Sequence, residues 1–353
     1  MAALRVALIG YGLAGRVFHG PLLRATPGLT VTGIIVRDRG RRAQAAVDFP
    51  QARLLASADD VWARREEFDL VVVATPPDSH TRLGRDAIDA GLALVVEKPL
   101  ATNADDARQL VERAAARQIL LVPFHNRRWD SDQLTLRNLI AEGKLGDIYR
   151  YESRFERWRP HPKPSAWREA LPSAEGGGVL LDLGVHLVDQ ALSLFGPVIS
   201  VVGEVEARSG GADDDVFMAL HHTSGTRSHL WAGSLAAAPG PRLRVLGSRA
   251  AYVVEHLDGQ EAALREGADP GQADFGTEPP EQWGRLVRGD ESETVPSRPG
   301  LWRDFYPAVE RALRTGESPP VRGSEAVAVL EVLDAARRSA QGNNTAIDPA
   351  VRR

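Results

Sequence analysis

Arg5-Val6-Ala7-Leu8-Ile9-Gly10-Tyr11-Gly12-Leu13-Ala14-Gly15 decides the fold of this 353-residue chain. An apolar run of strand length ends at Gly10, and the glycines at 10, 12 and 15 lead into a helix predicted over residues 13–25. The pattern carries meaning only between a strand and a helix, and that condition is met. The first glycine permits the turn, the second lets backbone approach a pyrophosphate, and the third allows tight packing of helix on strand. Phosphate charge then lies on the positive end of the helix. A parallel α/β sheet that holds a dinucleotide is the expectation.

Outward from that loop the alternation continues. Strands are predicted over 29–36, 70–74, 92–96 and 119–122, with a helix over 81–90 that ends at Gly91. Asn103 is placed to cap the next helix, with Asp105 and Asp106 in its first turn. Strands apolar on both faces imply a parallel sheet covered on both sides, so residues 1–124 read as a Rossmann domain. After Pro123 the runs become shorter and more alternating. A helix over 132–142 precedes predicted strands at 147–157, 199–208, 217–222, 227–231, 242–246 and 250–254, and the turn 223–226 separates two of them. Residues 125–353 therefore read as an α+β domain with a large, mainly antiparallel open sheet and one helix inserted between 179 and 194. Residues 160–164 and 267–280 look like surface loops. Helices over 305–314 and 324–340 close the chain and are free to pack back on the first domain.

Composition removes whole classes of function. Lys plus Arg total 43 against 47 Asp plus Glu, a formal charge of −4, and the charges are interspersed. No nucleic-acid groove or membrane-binding basic patch is expected. The absence of Cys excludes disulfides, thiolate metal sites, iron–sulfur clusters and a cysteine nucleophile. No His and acid cluster has metal-ligand spacing, so no metal is proposed. Residues 1–5 run straight into a strand, and no apolar run is long enough to span a membrane, which makes cytoplasmic residence the expectation.

Three further segments carry chemistry. Leu94-Val95-Val96-Glu97-Lys98-Pro99-Leu100 is a buried strand whose carboxyl end bears a lysine, and open α/β sheets bind ligands at that end. Strand two ends in Val36-Arg37-Asp38, where an acid for the ribose 2′-hydroxyl is expected of an NAD site. Val36 replaces that acid and Arg37 is well placed for a 2′-phosphate, which favours NADP over NAD; an inward turn of Asp38 onto a ribose is the alternative. In Gly176-Gly177-Gly178-Val179-Leu180-Leu181-Asp182-Leu183-Gly184-Val185-His186, a helix would put Asp182 and His186 on one face, and the glycines would let backbone approach a ligand. The pair is either an acid–base device or the brace of a buried helix. Lys98 on a separate strand tilts the reading to function.

The glycine loop, then Ala74-Thr75-Pro76-Pro77-Asp78-Ser79-His80, Glu97-Lys98-Pro99, His125-Asn126-Arg127-Arg128-Trp129-Asp130 and the Gly-Gly-Gly-x3-Asp-x3-His run, in that order, resemble the glucose–fructose oxidoreductase/inositol dehydrogenase family, Gfo/Idh/MocA. The resemblance spans nearly the whole chain. It implies a Rossmann domain, a second domain whose open sheet makes homodimer or homotetramer contacts, and NAD(P)-dependent oxidation or reduction of a sugar, polyol or inositol-like substrate. It implies that Lys98, Asp182 and His186 are catalytic and that the peptide before Pro99 is cis. In the oxidative direction His186 would accept the hydroxyl proton, Asp182 would orient the imidazole, and Lys98 would hydrogen-bond the developing alkoxide. The cofactor set is then Gly10, Tyr11, Gly12, Leu13, Ala14, Gly15, Val36, Arg37, Thr75, Pro76, Pro77, His80, Glu97, Lys98, Asn126, Trp167 and Arg168. His80 has helix capping as its other reading. Arg127 and Arg128 would bind substrate hydroxyls and Trp129 would stack on a sugar face, or they are surface arginines and a core tryptophan. His221, His222 and His229 read as sheet packing. A cofactor-binding regulator of the galactose-repressor type and a reductase of an imine, dihydrodiol or tetrapyrrole are the competing functions.

Overall fold

The computed structural model describes residues 2–161 and 171–350. Its first sheet holds six parallel strands, β1 (Leu4–Ile9), β2 (Leu29–Ile35), β3 (Arg53–Leu55), β4 (Leu70–Val73), β5 (Ala93–Glu97) and β6 (Leu121–Phe124), in the order β3-β2-β1-β4-β5-β6. All four residues of β4 are buried. Leu70 and Val72 enter the core on one face of the sheet, Val71 and Val73 the core on the other, which is why the strand reads as a continuous apolar run. The strand order reverses between β1 and β4, and the crevice outside their carboxyl ends is where such sheets take ligands. Gly10 and Ala74 stand at that point.

Two local departures have clear causes. The strand expected to stop before Pro123 continues through it, with Pro123 paired to Val96. Strand β6 is the sheet's edge, where the missing N–H of proline leaves no neighbour unsatisfied. The helix expected over 13–25 begins as a wide π-helical turn, Ala14–His19, and becomes α-helical only at Gly20–Arg24. Such turns recur at functional sites.

The second sheet has eight strands, β7 (Ile148–Glu156), β8 (Val198–Glu206), β9 (Asp215–His222), β10 (Arg227–Gly233), β11 (Leu243–Gly247), β12 (Ala251–Val254), β13 (Gly284–Arg288) and β14 (Glu291–Val295), in the order β14-β13-β12-β11-β7-β10-β9-β8. Only the β7–β10 pair is parallel. Strands β13 and β14 extend the sheet beyond the sequence expectation, because four of the five residues of β14 are exposed and show no apolar alternation. The helices Val185–Phe195 and Gly323–Gln341 pack on one face. Phe305–Thr315 returns to the first sheet, where Phe305, Tyr306 and Val309 join the core of Val6, Leu8 and Val72. Among the described residues no helix is long and apolar enough to cross a membrane.

Candidate active site

The glycine loop is built by close approach. Gly10 has φ +100°, and a side chain on it would meet the Ala74 carbonyl oxygen at 2.6 Å, while one on Gly15 would meet the Gly10 carbonyl oxygen at 2.0 Å. Gly12 differs, because the nearest atom to a Cβ there is Nη1 of Arg41 at 3.7 Å. Two glycines therefore hold the loop shut against β4, and the third leaves its outer surface open for phosphate. Leu13 and Ala14 continue the loop into the π-turn. Tyr11 is buried, its hydroxyl donating to Asp48 at 2.6 Å. At the end of β2, Val36 is buried and Arg37 exposed. Asp38 accepts from the Arg41 amide at 2.8 Å and so caps the helix Arg39–Asp48 rather than turning inward.

Lys98 leaves the end of β5 through a cis Lys98–Pro99 peptide. Its Nζ donates to Asp182 Oδ1 at 2.9 Å and to the Asp182 carbonyl oxygen at 2.8 Å. Arg157 stands 3.6 Å from the other carboxylate oxygen. Asp182 lies in a second π-helical turn, Leu180–Gly184, and His186 in the α-helix that follows it. His186 is buried against Phe155. Burial, then the positive charges of Lys98 and Arg127, push its imidazole well below the ordinary histidine range, so it is a neutral base. Asp182 also lines a cavity of about 50 Å³ with Arg157, Arg159, Gly178, Ser209 and Asp214.

The three glycines before this helix serve a different end from the one expected. A Cβ on Gly176 would meet Pro77, one on Gly177 the Leu171 carbonyl oxygen, and one on Gly178 the Asp213 carboxylate. Their closeness is to the protein's own loops. Thr75 pairs its hydroxyl with Ser79 at 2.6 Å, beside Pro76. His80 is buried with its ring nitrogens 2.7 Å and 2.8 Å from the carbonyl oxygens of Pro99 and Thr75, so it clasps the Thr75 loop to the lysine turn instead of facing the cleft. Glu97 is buried and bonded to His19 and to the Lys98 amide.

The cluster after β6 divides. Asn126 is buried in a single 3-10 turn. Arg127 binds Asp130 and Glu261 and lies over Phe155 at 4.9 Å. Arg128 makes a forked bond to Asp189, at 2.6 Å and 2.9 Å, and a further contact with Glu325, so all three of its nitrogens are engaged inside the fold. Trp129 is half-buried and packs edge-on against Phe305 at the margin of the core. These contacts favour packing over sugar recognition for Arg128 and Trp129. Trp167 and Arg168 lie outside the described residues. His222 bonds to Gly196 and Ser228, and His229 packs on Phe217 and Trp231, as sheet residues.

Sequence reasoning passed over Arg41, within reach of the glycine loop, and Asp189, the anchor of Arg128. It also passed over His125, which stands 3.7 Å from Asp189 with neither ring nitrogen hydrogen-bonded among the described residues. Their signals were present: His125 opens a quoted motif, and Arg41 and Asp189 each lie three residues beyond another.

A dinucleotide loop at the switch point of a parallel sheet, with a lysine, a carboxylate and a neutral imidazole gathered beside it, defines an NAD(P)-dependent oxidoreductase. The chain belongs to the Gfo/Idh/MocA oxidoreductase family: residues 4–125 match its NAD-binding Rossmann fold and residues 137–347 its C-terminal alpha/beta domain. It is 34% identical over 347 residues to the scyllo-inositol 2-dehydrogenase (NADP(+)) IolW of Bacillus subtilis, covering 97% of this chain and 95% of that protein. Against the uncharacterized oxidoreductase YdgJ of Escherichia coli the identity is 37%, with 97% and 98% covered. The solved structure of yvaA from Bacillus subtilis superposes with a TM-score of 0.91 at 32% identity, covering 98% of each chain.

Proposed function

We propose that this enzyme moves hydride between NADP and a secondary hydroxyl or ketone of a polyol, inositol or sugar, with Lys98, Asp182 and His186 as its reacting groups. The observation that carries the reading is a lysine ammonium fixed 2.9 Å from the Asp182 carboxylate beside an imidazole that burial keeps neutral. The residues of the loop fit a dinucleotide, since the surface over Gly12 is open and a helix begins behind it. When bound, the nicotinamide supplies the hydride acceptor or donor. Two of the three N–H groups of Lys98 are used on Asp182, which leaves one for the substrate oxygen and for the charge that develops on it. His186 takes the hydroxyl proton in oxidation and returns it in reduction. Asp182, gripped by Lys98 and flanked by Arg157, keeps the ammonium in place.

The preference for NADP is supported by the exposed Arg37, by Arg41 beside the loop, and by the use of Asp38 as a helix cap. The NADP(+) dehydrogenase of Bacillus subtilis is a relative at 34% identity and lends its substrate class to the reading. The enzyme acts in the cytoplasm, where its cofactor is available, as a homodimer or homotetramer through the outer face of the second sheet, with no nucleic-acid or membrane partner. The test follows reduced-nicotinamide absorbance with NAD and NADP separately against inositols, other polyols and aldoses. Turnover of a polyol or sugar, with the lower Kd for NADP, is expected; tighter binding of NAD overturns the cofactor choice, and turnover confined to non-hydroxylated compounds overturns the substrate class.

A further inference from the structure

Behind the reactive lysine lies a chain of three buried polar side chains drawn from distant parts of the sequence. The hydroxyl of Tyr306 lies 2.5 Å from Nδ1 of His19, Nε2 of His19 lies 3.1 Å from Oε1 of Glu97, and Oε2 of Glu97 accepts the Lys98 backbone N–H at 3.0 Å. His19 and Tyr306 are wholly buried and Glu97 nearly so. His19 is the last residue of the π-turn behind the glycine loop, Glu97 the last of β5, and Tyr306 sits in the helix Phe305–Thr315 that returns from the second domain. Phe124 holds the His19 ring from the side, with centroids 4.2 Å apart.

With a neutral imidazole at His19, counting hydrogens fixes the direction of the chain. An ionised Glu97 only accepts, so Nε2 of His19 carries the proton and donates it. Nδ1 is then the nitrogen with the lone pair and accepts from the Tyr306 hydroxyl. One tautomer satisfies every group, as a buried network must be to stabilise rather than cost.

We propose that Tyr306, His19 and Glu97 are positioning residues that tie the helix behind the cofactor loop to the backbone of Lys98 and so set the lysine's place relative to the nicotinamide. None of the three touches the reacting atoms. The inference rests on the reading of Lys98 as a reacting group. It accounts for a buried carboxylate one residue before that lysine which no other contact explains, and for the wide turn that brings His19 round to face it. Burial pushes the Glu97 carboxyl up, but the hydrogen bond from His19 and the charge of Lys98 outweigh it and hold the group below the usual glutamate range. The titratable groups facing Glu97 are His19 from the π-turn, Tyr306 from the returning helix, His80 from the helix His80–Asp89, and Lys98.

Variants His19→Leu, His19→Gln, Tyr306→Phe and Lys98→Ala, assayed with NADP and a substrate that the reduced-nicotinamide assay identifies, test this relay, which passes on position and not protons. His19→Leu removes the donor to Glu97 and leaves burial to dominate, so the carboxyl keeps its proton to higher pH. The expected result is a fall in kcat of about ten- to a hundredfold with little change in the KM for NADP, and, beside the step that belongs to His186, an acid limb from Glu97 moved to higher pH. His19→Gln, which retains a side-chain N–H, restores the limb. Histidine-labelled 15N spectra of the wild-type protein report the tautomer without any substitution: Nε2–H with Nδ1 accepting is expected, and Tyr306→Phe moves the Nδ1 resonance alone. A His19 found as the Nδ1–H form, or a His19→Leu variant that loses kcat equally at every pH, overturns the relay. If Lys98→Ala keeps its turnover, the reading of the site itself fails; if Lys98→Ala is inactive while the His19 variants match the wild type, only the relay fails.

Discussion

Lys98 spends two hydrogen bonds on a single residue, Asp182, before any substrate arrives. A side chain with four rotatable bonds is thereby preorganised, and in the proposed reaction its charge acts where the alkoxide develops. Lys98→Ala should lower kcat by about 10² to 10³-fold while the Kd for NADP stays within a factor of about three, as measured by steady-state kinetics and fluorescence titration. His186 gives a pH prediction. Its imidazole is pushed well below the ordinary range by burial and by Lys98 and Arg127, so the neutral base persists below the unperturbed pKa of about 6.5. The acid limb of kcat/KM assigned to His186→Asn difference profiles should fall below that value. The same shift makes the neutral imidazole favour the folded state above about 6.5, a contribution lost as pH falls toward the lower folded pKa. Residues whose placement follows from local spacing, such as Gly10, Gly15 and Lys98, were legible in the sequence. Arg128 was not, because its partner Asp189 lies 61 positions on, and nothing local says whether an arginine's donors are already taken.

At the scale of elements, continuous or alternating apolar runs marked most strands, because burial on two faces or on one leaves that imprint. Strand β14 carried little imprint because it stands at the sheet's edge. The π-turns at Ala14–His19 and Leu180–Gly184 were invisible for another reason: one extra residue per turn is set by what the helix must reach, not by intrinsic propensity. The contact between β8 and the long helix Gly323–Gln341 rests on one glycine. A Cβ on Gly203 would lie 2.5 Å from the carbonyl oxygen of Ala336 and 2.8 Å from its Cα, both backbone atoms. Gly203→Ala must push the helix off the sheet, and a loss of about 2 kcal/mol in urea unfolding is expected. Gly91→Ala, at a helix end where no atom lies within 4 Å of the added group, separates overpacking from backbone strain, since only its positive φ of +78° opposes the change.

For the whole molecule the decisive asymmetry is that the second sheet is covered on one face and open on the other. Cross-strand pairing places Phe217, Trp231 and Arg154 in one row of the open face and Ala219, His229, Glu152 and Arg244 in the next. The Arg154 guanidinium lies 3.8 Å from the Trp231 ring centroid, and Arg244 forks onto Glu152 at 2.6 Å and 2.9 Å. Charged groups that pair along the sheet leave the aromatic row as its apolar centre, and a flat aromatic centre with a paired rim is the composition of a protein interface. The candidate site lies at the ends of β4 and β5 and takes Phe155 from the covered face of the second sheet, not this row, so association and the proposed chemistry can be separated by one substitution. Trp231→Asp removes the ring from the centre of the row, puts a carboxylate beside Phe217 and Arg154 in its place, and should dissociate an assembly built on this face. Light scattering at micromolar protein should then give the monomer mass while NADP still binds, because the glycine loop lies in the other sheet. An unchanged mass would show that the subunits meet elsewhere or not at all, and the aromatic row would then need a different occupant.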